Sequence, residues 1–64
     1  MDENKIYANV VAILTERGKP VTWLEKEAGL GNGVISGWKE SFPRVDNLQK
    51  VANVLGVELK DLTA

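Results

Sequence analysis

The chain has 64 residues, nine acidic and eight basic side chains, and a formal net charge of −1 at pH 7. It contains no cysteine and no histidine, which excludes disulfide bracing and the commonest metal ligands and leaves packing of the chain to supply its stability. Its longest apolar run, Val10 to Leu14, is far shorter than the ~20 residues of a membrane helix, and no secretory leader pattern opens the chain, so one soluble, cytoplasmic domain over 1–64 is expected, with no cofactor and no metal.

Ile6, Val10, Ile13 and Leu14 recur at helical spacing and set a first helix from about Asn4 to Glu16, ended by Gly18 and Pro20. A second helix begins within 20–23 and stops at Ala28. Thr22 and Glu25 have the Ser/Thr-x-x-Glu form of a capping box, while Pro20 suits the first turn of a helix starting earlier. Leu24 and Ala28 share one helix face, and Gly29 can take the positive φ that ends the helix. Asn32 is the expected N-cap of a third helix, which runs to Lys39 or Glu40 with Val34, Ile35 and Trp38 on its apolar side. Ser41-Phe42-Pro43-Arg44 forms a loop. Leu48, Val51, Ala52 and Leu55 line a fourth helix closed by a left-handed Gly56, and Val57, Leu59 and Leu62 make a short fifth element. The fold class is therefore all-α, a compact bundle of about five short helices. Its second and third helices, joined by a Gly-containing turn, have the pattern of a helix-turn-helix, whose second helix can enter a DNA major groove.

Charge is unevenly distributed. Residues 1–16 carry −2 and residues 45–64 carry −1, whereas residues 17–44 set Arg17, Lys19, Lys26, Lys39 and Arg44 against Glu25, Glu27 and Glu40, a balance of +2. The suspected motif is thus the net-positive third of an acidic chain, and binding to duplex DNA depends on neutralising phosphates.

The order of elements resembles the Cro and phage-repressor type of helix-turn-helix, the xenobiotic-response-element family of bacterial regulators with its lambda-repressor-like fold, from Ile6 to Leu62. The resemblance is carried by Leu24-Glu-Lys-Glu-Ala28-Gly29-Leu30-Gly31-Asn32-Gly33, by Ile35-Ser36-Gly37-Trp38-Lys39, and by Leu48-Gln49-Lys50-Val51-Ala52-Asn53-Val54-Leu55-Gly56-Val57 followed by Leu59 and Leu62. The Gly-Asn-Gly start and Trp-Lys end of the third helix are similar to regulators common on phages and mobile elements of Gram-positive bacteria. The resemblance implies base-reading positions at Gly31, Asn32, Gly33, Ser36 and Gly37. It implies phosphate contacts near Val21 to Trp23, on Lys39 and around Arg44. Three positions depart from the better-known repressors. Gly33 and Gly37 stand where several carry Gln, Arg or Lys; Val21 stands where many carry a phosphate-fixing Gln; Glu25 stands where a small residue is usual between the two helices.

The candidate residues have competing structural readings. Asn32 can pair with adenine N6 and N7 or cap the third helix. Gly33 and Gly37 each cost a helix up to about 1 kcal/mol relative to Ala, which close approach of the backbone to DNA, or room for Glu25 beside Gly33, would offset. Glu25 is expected to accept amide hydrogens at the start of the third helix. Ser36 can contact any base or a phosphate, and Lys39 and Arg44 are phosphate anchors or solvated charges. Trp38 is expected in the core, as are Tyr7 and Phe42, while Trp23 covers the core edge, lies exposed or touches the DNA backbone. With no His, no Cys and no phosphate-cradling loop after a strand, an enzyme is not expected. The reading is a sequence-specific transcriptional regulator, a repressor of phage or mobile-element type, bound to double-stranded DNA as a homodimer on a two-fold operator. It leaves open that 1–64 is the N-terminal domain of a longer regulator and that a segment beyond it dimerises. The rival reading is a protein-interaction module, an adaptor or antitoxin, with weak or no DNA readout.

Overall fold

Apolar side chains at helical spacing in four stretches of the chain converge on one core. In the computed structural model, which describes residues 3–64, they come from α1 (Glu3–Arg17), α2 (Val21–Glu27), α3 (Val45–Leu55) and α4 (Leu59–Thr63), together with a single 3-10 turn, Ser36–Lys39. The described residues contain no strand. Ile6, Val10 and Leu14 of α1, Leu24 of α2, Leu48, Val51, Ala52 and Leu55 of α3 and Leu62 of α4 are buried, with Ile35 and Trp38 added from the central stretch. Ile13, Ala28, Val34, Val57 and Leu59 are half-buried and pack around that cluster. The 3-10 turn and α4 both lie against α1, and α2 and α4 contact α3. No helix among the described residues is long and apolar enough to cross a membrane.

The helix ends follow local chemistry. At the end of α2 the Leu30 amide donates to the Glu25 carbonyl at 2.8 Å and the Gly29 amide to the Lys26 carbonyl at 3.2 Å, a closure that needs a left-handed residue, which Gly29 supplies at φ +72°. α1 and α3 end in the same six-residue closure, Lys19 N–H to Leu14 C=O at 3.0 Å and Val57 N–H to Ala52 C=O at 3.1 Å. At the start of α4 the Asp61 carboxylate accepts the Glu58 amide at 3.0 Å. Asn9 clamps the two ends of the chain's fold together, its side-chain amide donating to the Leu62 carbonyl at 2.8 Å.

Three expectations fail locally. About five short helices were expected and four α-helices are present among the described residues, because the stretch 32–39 is a run of turns, Asn32–Ile35, followed by the 3-10 turn. Within it Val34 N–H reaches Gly31 C=O, Trp38 N–H reaches Ile35 C=O and Glu40 N–H reaches Gly37 C=O, all three-residue closures. An α-helix would send the Ile35 amide to Gly31, but that amide is taken by a side chain of α2, and Gly33 sits at φ +86°, outside helical backbone space. Asn32 is therefore not a helix N-cap: the 3-10 turn starts from Ile35 with no side-chain cap. Nor do Thr22 and Glu25 form a capping box. Pro20 precedes the first turn of α2, and the Glu25 carboxylate points the other way.

Candidate nucleic-acid interface

Glu25 organises this region. It is the buried charged residue among the described residues, 2 % exposed, and its Oε2 accepts the Gly33 amide at 3.1 Å and the Ile35 amide at 3.0 Å. A buried carboxylate without such donors would be costly, and unbonded amides at a turn would be costly too. Each therefore stabilises the other, and α2 is tied to the stretch that follows it. Amide acceptance by Glu25 is as expected; the reason for Gly33 is not. A Cβ built on Gly33 meets nothing within 4 Å, so the glycine does not make room for Glu25. It is required by its φ of +86°, which turns its own N–H toward the carboxylate.

With Ile35 and Trp38 buried beneath it, the stretch turns Gly31, Asn32, Gly33, Ser36, Gly37 and Lys39 to solvent. The six positions that the resemblance assigns to DNA in this segment are thus all exposed, and none of them is acidic. The Asn32 and Ser36 side chains are free to point outward, and Gly37 has open space where a Cβ would be. Ser41 closes the far end, its hydroxyl donating to the Gly37 carbonyl at 3.2 Å.

The flanking cations are held by different partners. Lys39 Nζ stands 5.5 Å from the centre of the Tyr7 ring of α1, and Lys19 Nζ stands 5.1 Å from the centre of the Trp23 ring, within cation–π range. Trp23 itself is half-buried against the core, with Lys19 over its ring. Lys19 was not singled out from the sequence; its spacing of four from Trp23 was the available signal. Arg44 precedes α3 and pairs with Asp46 through Nε, 3.3 Å from Oδ1, both side chains largely exposed. Desolvation is the largest single influence on Asp46 and opposes its ionisation, but the Asn47 amide and the Arg44 guanidinium together outweigh it and hold its carboxyl below the ordinary carboxylate value. Because Glu25 faces inward, the exposed charges over residues 17–44 are five basic against two acidic.

Phe42 departs from expectation. It was expected to pack, but it is 60 % exposed, and Val45 beside it is 74 % exposed. Pro43, between Phe42 and Arg44, is half-buried.

Comparison with protein-family models, with curated proteins and with solved structures gives no match to this chain.

Proposed function

We propose that this chain is a helix-turn-helix DNA-binding domain of the xenobiotic-response-element type, acting as a transcriptional regulator, a repressor of phage or mobile-element character. The observation that carries the reading is the stretch Gly31–Lys39, with six exposed positions and no acidic side chain, held on a two-point carboxylate clamp, ending in Lys39 and followed in sequence by Arg44. In this reading the stretch enters the major groove. Asn32 makes a bidentate pair with adenine, contributing about 1–3 kcal/mol of discrimination, and Ser36 adds a second polar contact. Gly31, Gly33 and Gly37 let the backbone lie close to the groove floor. Lys39, Arg44 and the amides at the start of α2 near Trp23 hold phosphates, fixing register without reading sequence. Only Nε of Arg44 is engaged by Asp46, which leaves its two terminal nitrogens for a phosphate. Groove shape carries the specificity that the glycines do not. Two copies on a two-fold site double the contacts of so short a reader.

Selection of bound duplexes from a random pool, at low and at near-physiological salt, tests this. Enrichment of a two-fold symmetric site is the expected result. Binding that shows no enrichment and disappears with salt would reduce the function to phosphate contact. Absence of binding at both salts would favour the second reading, a protein-interaction module such as an adaptor or antitoxin, for which exposed Phe42 and Val45 are the supporting observation.

A further inference from the structure

Five asparagines stand in the chain, and Asn32 alone precedes a glycine; the others precede Lys5, Val10, Leu48 and Val54. That pairing has a chemistry of its own. The backbone nitrogen that follows an asparagine can attack the side-chain amide carbon, and a glycine, having no side chain, leaves that nitrogen unshielded. Asn32 is exposed, whereas the Asn9 side chain is held by the Leu62 carbonyl at 2.8 Å and the Asn53 side chain by Gln49 at 2.9 Å. The space beside Gly33 is open as well, with nothing within 4 Å of a built Cβ.

The attacking nitrogen is the one that Glu25 holds. Its N–H donates to Glu25 Oε2 at 3.1 Å, and the same oxygen accepts the Ile35 amide at 3.0 Å, so the carboxylate is fixed in place. Attack requires the nitrogen to lose its proton first. A carboxylate one hydrogen bond away opposes the negative charge that this leaves, as a like charge opposes any ionisation. Water screens the pair little, because Glu25 is 2 % exposed.

We infer that Asn32–Gly33 is a site of spontaneous deamidation, restrained by the Glu25 carboxylate, whose conversion turns off the exposed stretch Gly31–Lys39. The step is balanced by water alone. Hydroxide takes the Gly33 amide proton, the nitrogen lone pair forms a bond to Asn32 Cγ, and the Cγ–Nδ2 bond breaks. Nδ2 leaves as ammonia with a proton from water, which restores the hydroxide, and a second water opens the imide to aspartate or isoaspartate. Neither product can replace Asn32. The amide donor to a base is gone, and a negative charge stands in a stretch that had no acidic side chain. Isoaspartate also lengthens the main chain by one carbon beside the two clamped amides. The loss of binding rests on the DNA-binding reading above; the deamidation does not.

Incubation of the intact chain at mildly alkaline pH, followed by peptide mass mapping, tests the chemistry. Aspartate and isoaspartate are expected at 32 ahead of the other four asparagines. Glu25→Gln, which keeps an acceptor and removes the charge, should convert at 32 about tenfold faster. Amide exchange at Gly33, which passes through the same anion, should accelerate with it while exchange in α3 stays unchanged. In urea, where the clamp is absent, the two chains should convert at equal rates. Conversion of folded Glu25→Gln at the wild-type rate or slower overturns the inference, as does earlier conversion of another asparagine in the wild-type chain or a rate difference that persists in urea. Duplexes enriched from the random pool test the consequence. The converted fraction and Asn32→Asp should each bind at least about tenfold more weakly than fresh chain, and equal binding overturns the loss of function. Absence of duplex binding by fresh chain overturns the DNA-binding reading instead, and the mass map still decides the deamidation.

Discussion

The helix α3 and the stretch Gly31–Lys39 both send large apolar side chains into the same core, yet they hold their shapes for opposite reasons. α3 has four buried positions at helical spacing, Leu48, Val51, Ala52 and Leu55, no glycine within its eleven residues, and a left-handed Gly56 at its end. Its conformation is written in its own residues. The Gly31–Lys39 stretch contains three glycines and closes mostly in three-residue turns. Its form depends on two buried anchors, Ile35 and Trp38, and on a carboxylate eight to ten positions earlier in the chain. The difference shows how a surface can be built from residues with little preference of their own: the neighbour supplies the restraint, and the stretch is left with small, polar, outward positions.

Breaking the clamp gives the largest expected effect. Glu25→Ala leaves two amides without their acceptor and should cost on the order of 3 kcal/mol in urea unfolding, with loss of hydrogen-exchange protection at Gly33 and Ile35. Glu25→Gln, which keeps a carbonyl acceptor, should cost less. An unchanged urea midpoint for the alanine variant would mean that the stretch folds through its own residues, as α3 does.

The two glycines sharpen the comparison. Gly33→Ala forces a Cβ onto a backbone at φ +86° and should lower stability by about 1–2 kcal/mol. Gly37→Ala enters open space at ordinary φ and should raise stability by about 0.4–1 kcal/mol. If the backbone at Gly37 approaches DNA, the same change weakens binding, so rising thermal midpoint with falling affinity is the expected pair of results.

Effects at the flank are smaller. Arg44→Ala should leave stability almost unchanged, since an exposed ion pair contributes little. It should weaken binding to all duplexes alike and flatten the dependence of log affinity on log salt by about one unit; a loss confined to one sequence would make Arg44 a base reader. Asp46 gives the smallest effect. Its folded pKa lies below its ordinary value, so its contribution is present above the ordinary carboxylate range and lost as pH falls through the folded value. Asp46→Asn should therefore remove a slight part of the acid-side decline in thermal midpoint.

Most helices were legible because their signals are local. The 3.6-residue spacing of Ile6, Val10 and Leu14, the Gly29 stop and the Gly56 stop all act over one or two turns, and α1, α2 and α3 lie where that spacing puts them. Of the candidate interface, exposure of Asn32, Ser36 and Lys39 followed from the burial expected for Ile35 and Trp38 on the opposite side. Glu25 was legible as the acceptor of amides across the turn. The helical form assigned to 32–39 was not borne out, nor was the packing of Phe42. For 32–39 the deciding influence, an acceptor from α2, lies outside the window that periodicity samples.

By itself the amino-acid sequence determined an all-helical chain, the residues of its core, the left-handed stops of its helices and the position of its basic third. Those outcomes depend on side-chain size, spacing and backbone sterics within a few residues. Only the tertiary structure decided that the central stretch is a clamped run of turns rather than a helix, that Lys19 and Lys39 rest on aromatic rings, and that Phe42 and Val45 face solvent. Each of these turns on which group wins an amide, a ring face or a place in the core, and that competition is resolved only once the helices have packed.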